Sequence, residues 1–264
     1  MTSIDRPKAQ LKMTKTILIT GASAGIGQQL ALAFARRGYQ LALAARRLES
    51  LEALKAQIMQ AHPEARVEIA ALDVTQLDTV APTLQQLANT MGGLDIVVAN
   101  AGVGDGGGPV GTGDFARDAA VIHTNVLGAM ATIDAAVAIF RKQKRGQVVA
   151  ISSVAAARGV PGAASYSASK AAIAVYADAA RSELHGSGIK VTTLYPGYID
   201  TAMNQRMKSR PFLVTVEDGA ERVAKLIERG VQEAAVPGWP WGLVMWLLRK
   251  LPTSLIAKQN PFAE

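Results

Sequence analysis

The chain has 264 residues, of which 49% are hydrophobic, 19% charged and 5% aromatic, a composition that excludes intrinsic disorder. It contains no cysteine, which excludes a disulfide scaffold, cysteine-ligated metal and a thiol nucleophile. Its formal charge of +7 is concentrated near the two ends, so we expect no basic stripe along the domain and no nucleic-acid partner.

Short apolar β-rich runs alternate along the chain with longer Ala- and Leu-rich runs. The predicted strands are Thr16–Thr20, Gln40–Ala45, Val67–Leu72, Asp95–Ala99, Gln147–Ile151 and Lys190–Leu194. The predicted helices are Ile26–Arg37, Leu48–Ala61, Leu77–Met91, Asp114–Arg141 and Ala164–His185. Because the strands are nearly uninterrupted apolar runs, this alternation predicts an α/β fold: a single-domain, doubly wound parallel sheet of the Rossmann type, with helices on both faces.

The domain boundaries follow from the same pattern. Residues 16–236 are expected to form the domain, with a substrate lid at about 198–212 and a hydrophobic C-terminal extension at 237–264. Residues 1–15 are expected to be a flexible basic lead-in, because their sequence lacks the apolar core of a signal peptide. We therefore expect a cytoplasmic protein.

A glycine-rich turn, TGASAGIG at positions 20–27, joins the first predicted strand to the first predicted helix. Its glycines allow the backbone to turn tightly and approach a pyrophosphate, which the free N–H groups at a helix N-terminus attract. The spacing Gly-x3-Gly-x-Gly differs from the general fingerprint Gly-x-Gly-x-x-Gly. By itself the turn leaves a purely structural role open, but its position between a strand and a helix favours phosphate binding.

Two arginines stand where a dinucleotide-binding sheet recognises the adenosine ribose. An acid at the end of the second strand would take the 2′-hydroxyl of NAD, but residues 40–48 contain no acid and carry Arg46 and Arg47. A guanidinium binds a 2′-phosphate through paired, charge-assisted hydrogen bonds. The pair favours NADP over NAD, the alternative being that both arginines are a solvated start to the second helix.

Tyr166 and Lys170 are four residues apart and so share one face of a helix. A cation about 4 Å from a phenol stabilises the phenolate and brings its pKa, ordinarily about 10, toward neutrality. This makes Tyr166 a candidate general acid/base. In isolation such a pair is more often an ordinary pair on a helix surface.

From about Thr16 to Thr201 the chain resembles the short-chain dehydrogenase/reductase family. Seven separated motifs carry the resemblance: TGASAGIG, Asp73 in LDV, Asn100-Ala101-Gly102, Asn125 in HTNVLG, Ser152-Ser153, Tyr166 with Lys170, and Pro196-Gly197. The resemblance implies a complete catalytic quartet, made of Asn125, Ser153, Tyr166 and Lys170, with Ser152 only a strand residue.

The same resemblance implies the role of each site residue. Ser153 would hydrogen-bond the substrate oxygen, Tyr166 would exchange its proton, Lys170 would hold the nicotinamide ribose and lower the phenol pKa, and Asn125 would fix a water; no metal is needed. The expected cofactor-binding residues are Gly21, Ser23, Gly25, Ile26, Gly27, Arg46, Arg47, Asp73, Asn100, Ala101, Gly102, Tyr166, Lys170, Pro196, Gly197 and Thr201. Asp73 would lie beside the adenine and Thr201 beside the nicotinamide carboxamide.

The substrate is expected to contact residues 103–109 and 198–212. Their glycines, Met203 and Met207 predict a roomy apolar pocket, while Arg206, Lys208 and Arg210 fit either an anionic substrate or a solvated lid. The expected function is NADP(H)-dependent interconversion of a carbonyl and a secondary alcohol on a bulky apolar small molecule. The alternative is a cofactor-binding regulatory or scaffold protein with the same fold.

The segment Trp239–Leu248 contains all three tryptophans and no charge, and Arg249 and Lys250 follow it. Ten uncharged residues are too few for a transmembrane helix. Two interpretations stay open: peripheral contact with a membrane surface, and an apolar cover over the active-site mouth or a partner subunit. Helices 114–141 and 164–185 carry more apolar residues than one buried face needs, and the resemblance implies that they form the interface of a homodimer or homotetramer.

Overall fold

The computed structural model describes residues 14–104, 108–111, 113–205, 207 and 209–257. Within these residues the strands are β1 Thr16–Thr20, β2 Gln40–Ala45, β3 Val67–Ala71, β4 Ile96–Ala99, β5 Gly146–Ile151, β6 Ile189–Pro196 and β7 Glu233–Val236. The helices are α1 Gly25–Ala35, α2 Leu48–Ala61, α3 Leu77–Met91, α4 Phe115–Ile122, α5 Ala129–Gln143, α6 Ala164–Glu183, α7 Val216–Arg229, α8 Gly238–Leu248 and α9 Thr253–Ala257. A π-helical turn, His123–Gly128, joins α4 to α5, and a 3-10 turn, Val154–Ala157, follows β5.

Some predicted segments lie outside the described residues. These are positions 1–13 of the lead-in, residues 105–107 of the glycine-rich segment, Arg206 and Lys208 of the lid, and residues 258–264.

All seven strands pair in parallel in the order β3-β2-β1-β4-β5-β6-β7. The sheet order reverses between β1 and β4, and in doubly wound sheets the crevice at the carboxyl ends of such a strand pair is the ligand site. The predicted fold, a parallel Rossmann-type sheet with helices around it, is confirmed.

The uninterrupted apolar strands are explained by cores on both faces of the sheet. In β1, Ile17 and Ile19 pack with Phe34 of α1 on one face. Leu18 lies between them in sequence and belongs to the opposite core, with Phe140 of α5. Since successive strand residues point to opposite faces, both faces must be apolar.

The predicted helix over 114–141 is interrupted by the π-helical turn, and the last strand and helix of the domain were not predicted. α7 has clear local signals: Thr215 Oγ1 accepts a hydrogen bond from the N–H of Asp218 at 3.1 Å, and Gly230 ends the helix with φ of 63°. β7 is a short edge strand rich in alanine, which gives it little strand character in the sequence.

The helical stretch Phe115–Gln143 has 29 residues and, by length and composition, is the stretch among the described residues that could cross a membrane. Its side chains Ile133, Ala136 and Phe140 are buried in the core beneath the sheet. We therefore interpret it as a core helix of the Rossmann domain.

Candidate active site

A cleft of about 1130 Å³ opens at the carboxyl ends of the strands, where the sheet order reverses. It brings together nearly all of the predicted site residues. Those lining it are Gly21, Ser23, Gly25, Ile26, Gly27, Arg46, Arg47, Asp73, Asn100, Ala101, Gly102, Ser153, Tyr166, Lys170, Pro196, Gly197 and Thr201. Asn125 is not in the lining and lies behind the wall that Gly102 and Val103 form.

The turn between β1 and α1 has the chemistry that a diphosphate requires. The N-cap residue Ala24 makes no side-chain cap bond and the first turn of α1 holds no acid, so its N–H groups are available to an anion. Gly21 has φ of 66°, and a Cβ atom at Gly27 would overlap the carbonyl oxygen of Gly21. The residues of the turn therefore fit the dinucleotide that the sequence predicted.

Asn100 fastens this turn to the end of β4. Its Nδ2 donates to the carbonyl oxygens of Thr20, at 2.9 Å, and Gly21, at 3.3 Å. In return, Thr20 Oγ1 accepts hydrogen bonds from the backbone N–H groups of Asn100, at 3.1 Å, and Ala101, at 3.2 Å. These hydrogen bonds fix the carboxyl end of β1 relative to the carboxyl end of β4, on the two sides of the crevice.

The two arginines and Asp73 flank the far end of the cleft. Arg47 Nη2 donates to Ser23 Oγ at 3.1 Å, which links the end of β2 to the glycine-rich turn. Burial pushes the pKa of Asp73 up, but hydrogen bonds from Thr75 and the charge of Arg46 outweigh it and leave the pKa below its ordinary value. Asp73 is therefore a carboxylate beside a guanidinium at neutral pH.

Ser153 and Tyr166 meet at the opposite end of the cleft. Ser153 Oγ accepts from the N–H of Ala155 at 3.2 Å and lies 3.4 Å from the carbonyl oxygen of Pro196, to which it donates. Burial raises the pKa of Tyr166, a hydrogen bond with Ser153 opposes that rise, and Tyr198 adds to it. The balance leaves the phenol pKa above its ordinary value and the phenol protonated at neutral pH.

The sequence predicts that Lys170 lowers the pKa of the Tyr166 phenol, whereas in this structure that pKa is raised and Lys170 is not among the groups that shift it. Its Nζ lies 5.8 Å from the ring centroid of Tyr166 and donates to the carbonyl oxygen of Ile151 at 3.0 Å. The side chain is buried, and burial lowers the pKa of Lys170 to about 8. Ser152 also contacts Lys170, because its Oγ donates a hydrogen bond to the backbone carbonyl oxygen of Lys170 at 2.7 Å.

The side chain of Asn125 is occupied by protein partners. Its Oδ1 accepts from the N–H of Val103, and its Nδ2 donates to the carbonyl oxygen of Val103, both at 2.8 Å. The same Nδ2 also donates to Ser169 Oγ at 3.1 Å. The side chain therefore ties the loop after β4 to α6, and the water that the resemblance places at the backbone and side chain of Asn125 stays a prediction. Asn125 lies in the π-helical turn, a feature frequent at functional sites.

The C-terminal extension lines the end of the cleft beside Tyr198 and Phe212, where the substrate is predicted to bind. Trp241, Val244 and Leu248 of α8 line it, and Trp241 is only 4% exposed. The Trp241 ring makes edge contacts with Tyr198 and Phe212, at centroid distances of 5.7 and 5.8 Å. The inner face of α8 thus lies over the cleft, as the cover interpretation predicts, and the interpretation as a membrane contact stays a prediction. The tryptophan-rich composition was the sequence signal for this segment.

Comparison with known proteins agrees with this geometry. The family model described as short chain dehydrogenase matches residues 15–211. An uncharacterized oxidoreductase of Mycobacterium tuberculosis is 39% identical over 240 residues, which cover 90% of this chain and 94% of that protein.

Two solved structures share the fold and were determined with different nucleotides. An alcohol dehydrogenase of the archaeon Thermococcus sibiricus, complexed with 5-hydroxy-NADP, is 28% identical with a TM-score of 0.76 and covers 84% of this chain and 96% of its own. An NAD+-bound xylitol dehydrogenase is 25% identical with a TM-score of 0.74 and covers 81% of this chain and 92% of its own. The family model matches most of the domain, and the parallel sheet brings the family's motifs together at one cleft. The chain therefore belongs to the short-chain dehydrogenase family of oxidoreductases.

Proposed function

We propose that this protein is an NADP(H)-dependent oxidoreductase that interconverts a carbonyl and a secondary alcohol on a bulky apolar small molecule. One observation carries the proposal. Ser153, Tyr166 and Lys170 line one end of a cleft whose other end is lined by the glycine-rich turn, Arg46 and Arg47. A proton donor and a site for an anionic dinucleotide therefore open into the same space.

The residues at the proton-transfer end have distinct tasks. When bound, a nicotinamide cofactor supplies or accepts the hydride at the substrate carbon. Ser153 Oγ donates a hydrogen bond to the substrate oxygen, and Tyr166 Oη gives that oxygen its proton as the carbonyl becomes an alcohol. In the reverse direction the phenolate oxygen takes the hydroxyl proton back. The raised pKa of Tyr166 keeps the donor protonated at neutral pH and so favours reduction.

Lys170 and Asn125 act as positioning residues in this scheme. The Lys170 ammonium, with one hydrogen bond to Ile151, keeps further donor capacity for the hydroxyls of the nicotinamide ribose. Asn125 holds Val103, and with it the wall of the cleft beside Lys170.

The NADP preference is supported by charge at the end of β2. Arg46 and Arg47 follow the strand directly and both line the cleft, whereas NAD recognition uses an acid there. Arg47 is already fixed by Ser23, which leaves Arg46 as the more adaptable partner for a 2′-phosphate. We therefore assign the main discrimination between the two cofactors to Arg46.

A bulky apolar substrate is supported by the size and the walls of the cleft. Its volume of about 1130 Å³ exceeds the roughly 300–1,000 Å³ typical of a site for one small ligand, as expected where cofactor and substrate bind together. The substrate end is lined by Met203, Met207, Tyr198, Phe212 and Trp241. Aromatic rings and thioethers of this kind favour an apolar molecule over a sugar.

We propose a homodimer or homotetramer of the cytoplasm, with α4 to α6 as the interface. Val175 of α6 is 70% exposed and Phe115 of α4 is 82% exposed. Large apolar side chains exposed on neighbouring helices are a feature of subunit contacts. α4 and α6 pack against each other, which is consistent with both helices contributing to one interface.

The test is a screen of the purified protein that follows NADPH absorbance with dicarbonyls and bulky ketones. Tyr166→Phe is expected to lower turnover at least about 100-fold with nearly unchanged cofactor affinity, because it removes the proton and keeps the ring. Tyr176→Phe on the same helix lies outside the cleft and is the matched control. A Tyr166→Phe protein with most of its activity left would show that another group is the acid.

A further inference from the structure

The outer face of α8 is apolar and exposed, although its inner face lines the active-site cleft. Leu243, Trp246 and Leu247 are spaced three and four residues apart and all lie on the exposed side, with Trp246 59% exposed. Trp239, just before the regular part of the helix, is 76% exposed. Two exposed indoles beside two exposed leucines on one short helix are more than scattered surface apolar residues.

Cations predominate around this outer face. Arg249 and Lys250 follow α8 directly and are exposed, and positions 237–257 contain no acidic residue. One acid, Glu233 of β7, lies beside Trp246 and Arg249 and accepts a hydrogen bond from the Tyr195 hydroxyl at 3.3 Å. The face therefore combines tryptophans, aliphatic side chains and adjacent cations, the combination that binds the interface of an anionic bilayer.

We propose that the outer face of α8 docks on an anionic lipid bilayer, with Trp239 and Trp246 at the level of the headgroups and Arg249 and Lys250 against their charges. The protein would lie on the membrane surface without spanning it. The Rossmann domain would stay in water.

Docking of α8 on a bilayer also bears on the choice of substrate, and this part of the inference rests on the proposed function. The inner residues Trp241 and Leu248 line the cleft, so a helix seated on a bilayer brings the cleft to the membrane surface. Phe212, half exposed, contacts Trp241 at the same edge. We assign the substrate class as carbonyl compounds that partition into lipid.

A second copy of the chain fits the outer face less well than a bilayer does. Protein interfaces are depleted of lysine, and cations there are usually matched by acids of the partner. Two copies meeting through α8 would bring Arg249 and Lys250 of each near those of the other. An anionic lipid surface, by contrast, neutralises both cations and accommodates both indoles.

The docking is tested by sedimenting full-length protein with vesicles of phosphatidylglycerol and phosphatidylcholine, and with vesicles of phosphatidylcholine alone. Binding to the anionic vesicles is expected, and Arg249→Glu with Lys250→Glu should weaken it at least about tenfold, since each lost cation contributes appreciably. The matched control is Arg141→Glu with Lys142→Glu, an adjacent exposed basic pair at the end of α5. Trp246→Ser should also weaken binding, and Met59→Ser, at an exposed site on α2, should not.

Several results would overturn the docking. One is full-length protein that ignores anionic vesicles, and another is a control pair that loses as much binding as the Arg249 and Lys250 pair. A third is a Trp246→Ser protein of smaller oligomeric size with unchanged vesicle binding, which would identify a second copy as the occupant.

The proposed substrate class is tested separately from the membrane docking. A membrane-partitioned ketone should be reduced at least about threefold faster with anionic vesicles present, and the Arg249 and Lys250 variant should lose that stimulation while it reduces a water-soluble dicarbonyl normally. Unstimulated reduction of the ketone would overturn the substrate class alone. Vesicle binding without reduction of any carbonyl would contradict the proposed function and leave the docking in place.

Discussion

The indole of Trp241 packs directly on the backbone of Gly197. A Cβ atom at Gly197 would overlap Nε1 of Trp241 and lie 2.7 Å from its Cδ1. Gly197 ends the Pro196-Gly197 motif after β6, and Trp241 belongs to the C-terminal helix that covers the substrate end. The glycine is therefore needed by the cover as well as by the cofactor that the sequence motif suggests.

Gly197→Ala is expected to displace Trp241 and loosen α8. Overpacking of this kind costs about 1–3 kcal/mol of unfolding free energy, and the disturbed wall should raise the KM for a bulky ketone. Urea unfolding followed by tryptophan fluorescence measures the first effect and steady-state kinetics the second. Gly242→Ala, where a new Cβ meets no atom within 4 Å, is the control. If both variants behave alike, the contact with Trp241 has no role in either property.

Arg46→Asp is expected to reverse or narrow a preference of at least about tenfold for NADP(H) over NAD(H), or about 1.4 kcal/mol. The physical reason is that the substitution removes a cation from the 2′-phosphate and supplies an acceptor for the NAD ribose. Affinities for both cofactors, measured by fluorescence titration, give the ratio. Arg141→Asp at the exposed end of α5 should leave the ratio unchanged. Equal affinity of the unmodified protein for both cofactors would contradict the proposal that Arg46 selects NADP(H).

The fold and the clustering of the predicted cofactor-binding residues at one cleft could be predicted because their signals are local. Strand β1 has three consecutive apolar residues, Ile17 to Ile19, between two threonines, and the glycines of the turn that follows it stand at fixed spacing. The partners of Asn125 could not be predicted, because its hydrogen bonds go to Val103 and Ser169, which only the tertiary fold brings together. The same holds for the contact of Trp241 with Gly197.

Val175→Arg is expected to yield monomers from a dimer or larger assembly. A charged side chain at this exposed apolar position of α6 would be buried without a partner in the proposed interface. Sedimentation velocity at micromolar concentration measures the assembly. Leu48→Arg, at an exposed position on α2 outside the interface, should keep the size of the unmodified protein. A monomeric unmodified protein would contradict the proposed interface.

Lys170→Met is expected to stabilise the protein while it impairs catalysis. Burial lowers the pKa of Lys170 from 10.5 to about 8, so the unfolded chain binds this proton more tightly than the folded protein does. The cost of burying the charge is fully present below pH 8 and disappears as the pH rises toward 10.5. At pH 7 the cost is on the order of 3 kcal/mol.

Lys170→Met removes this cost but also loses the hydrogen bond to Ile151, which offsets about 1 kcal/mol. The variant should therefore be more stable than the unmodified protein by about 1–2 kcal/mol. Urea unfolding at pH 7 and again near pH 10 measures the difference, which should shrink at the higher pH because the unmodified protein no longer buries a charge there. Turnover should fall because the variant lacks the ammonium that is proposed to hold the nicotinamide ribose. A variant that is less stable at pH 7, or whose stability difference from the unmodified protein is the same at both pH values, would show that the buried lysine carries no such cost.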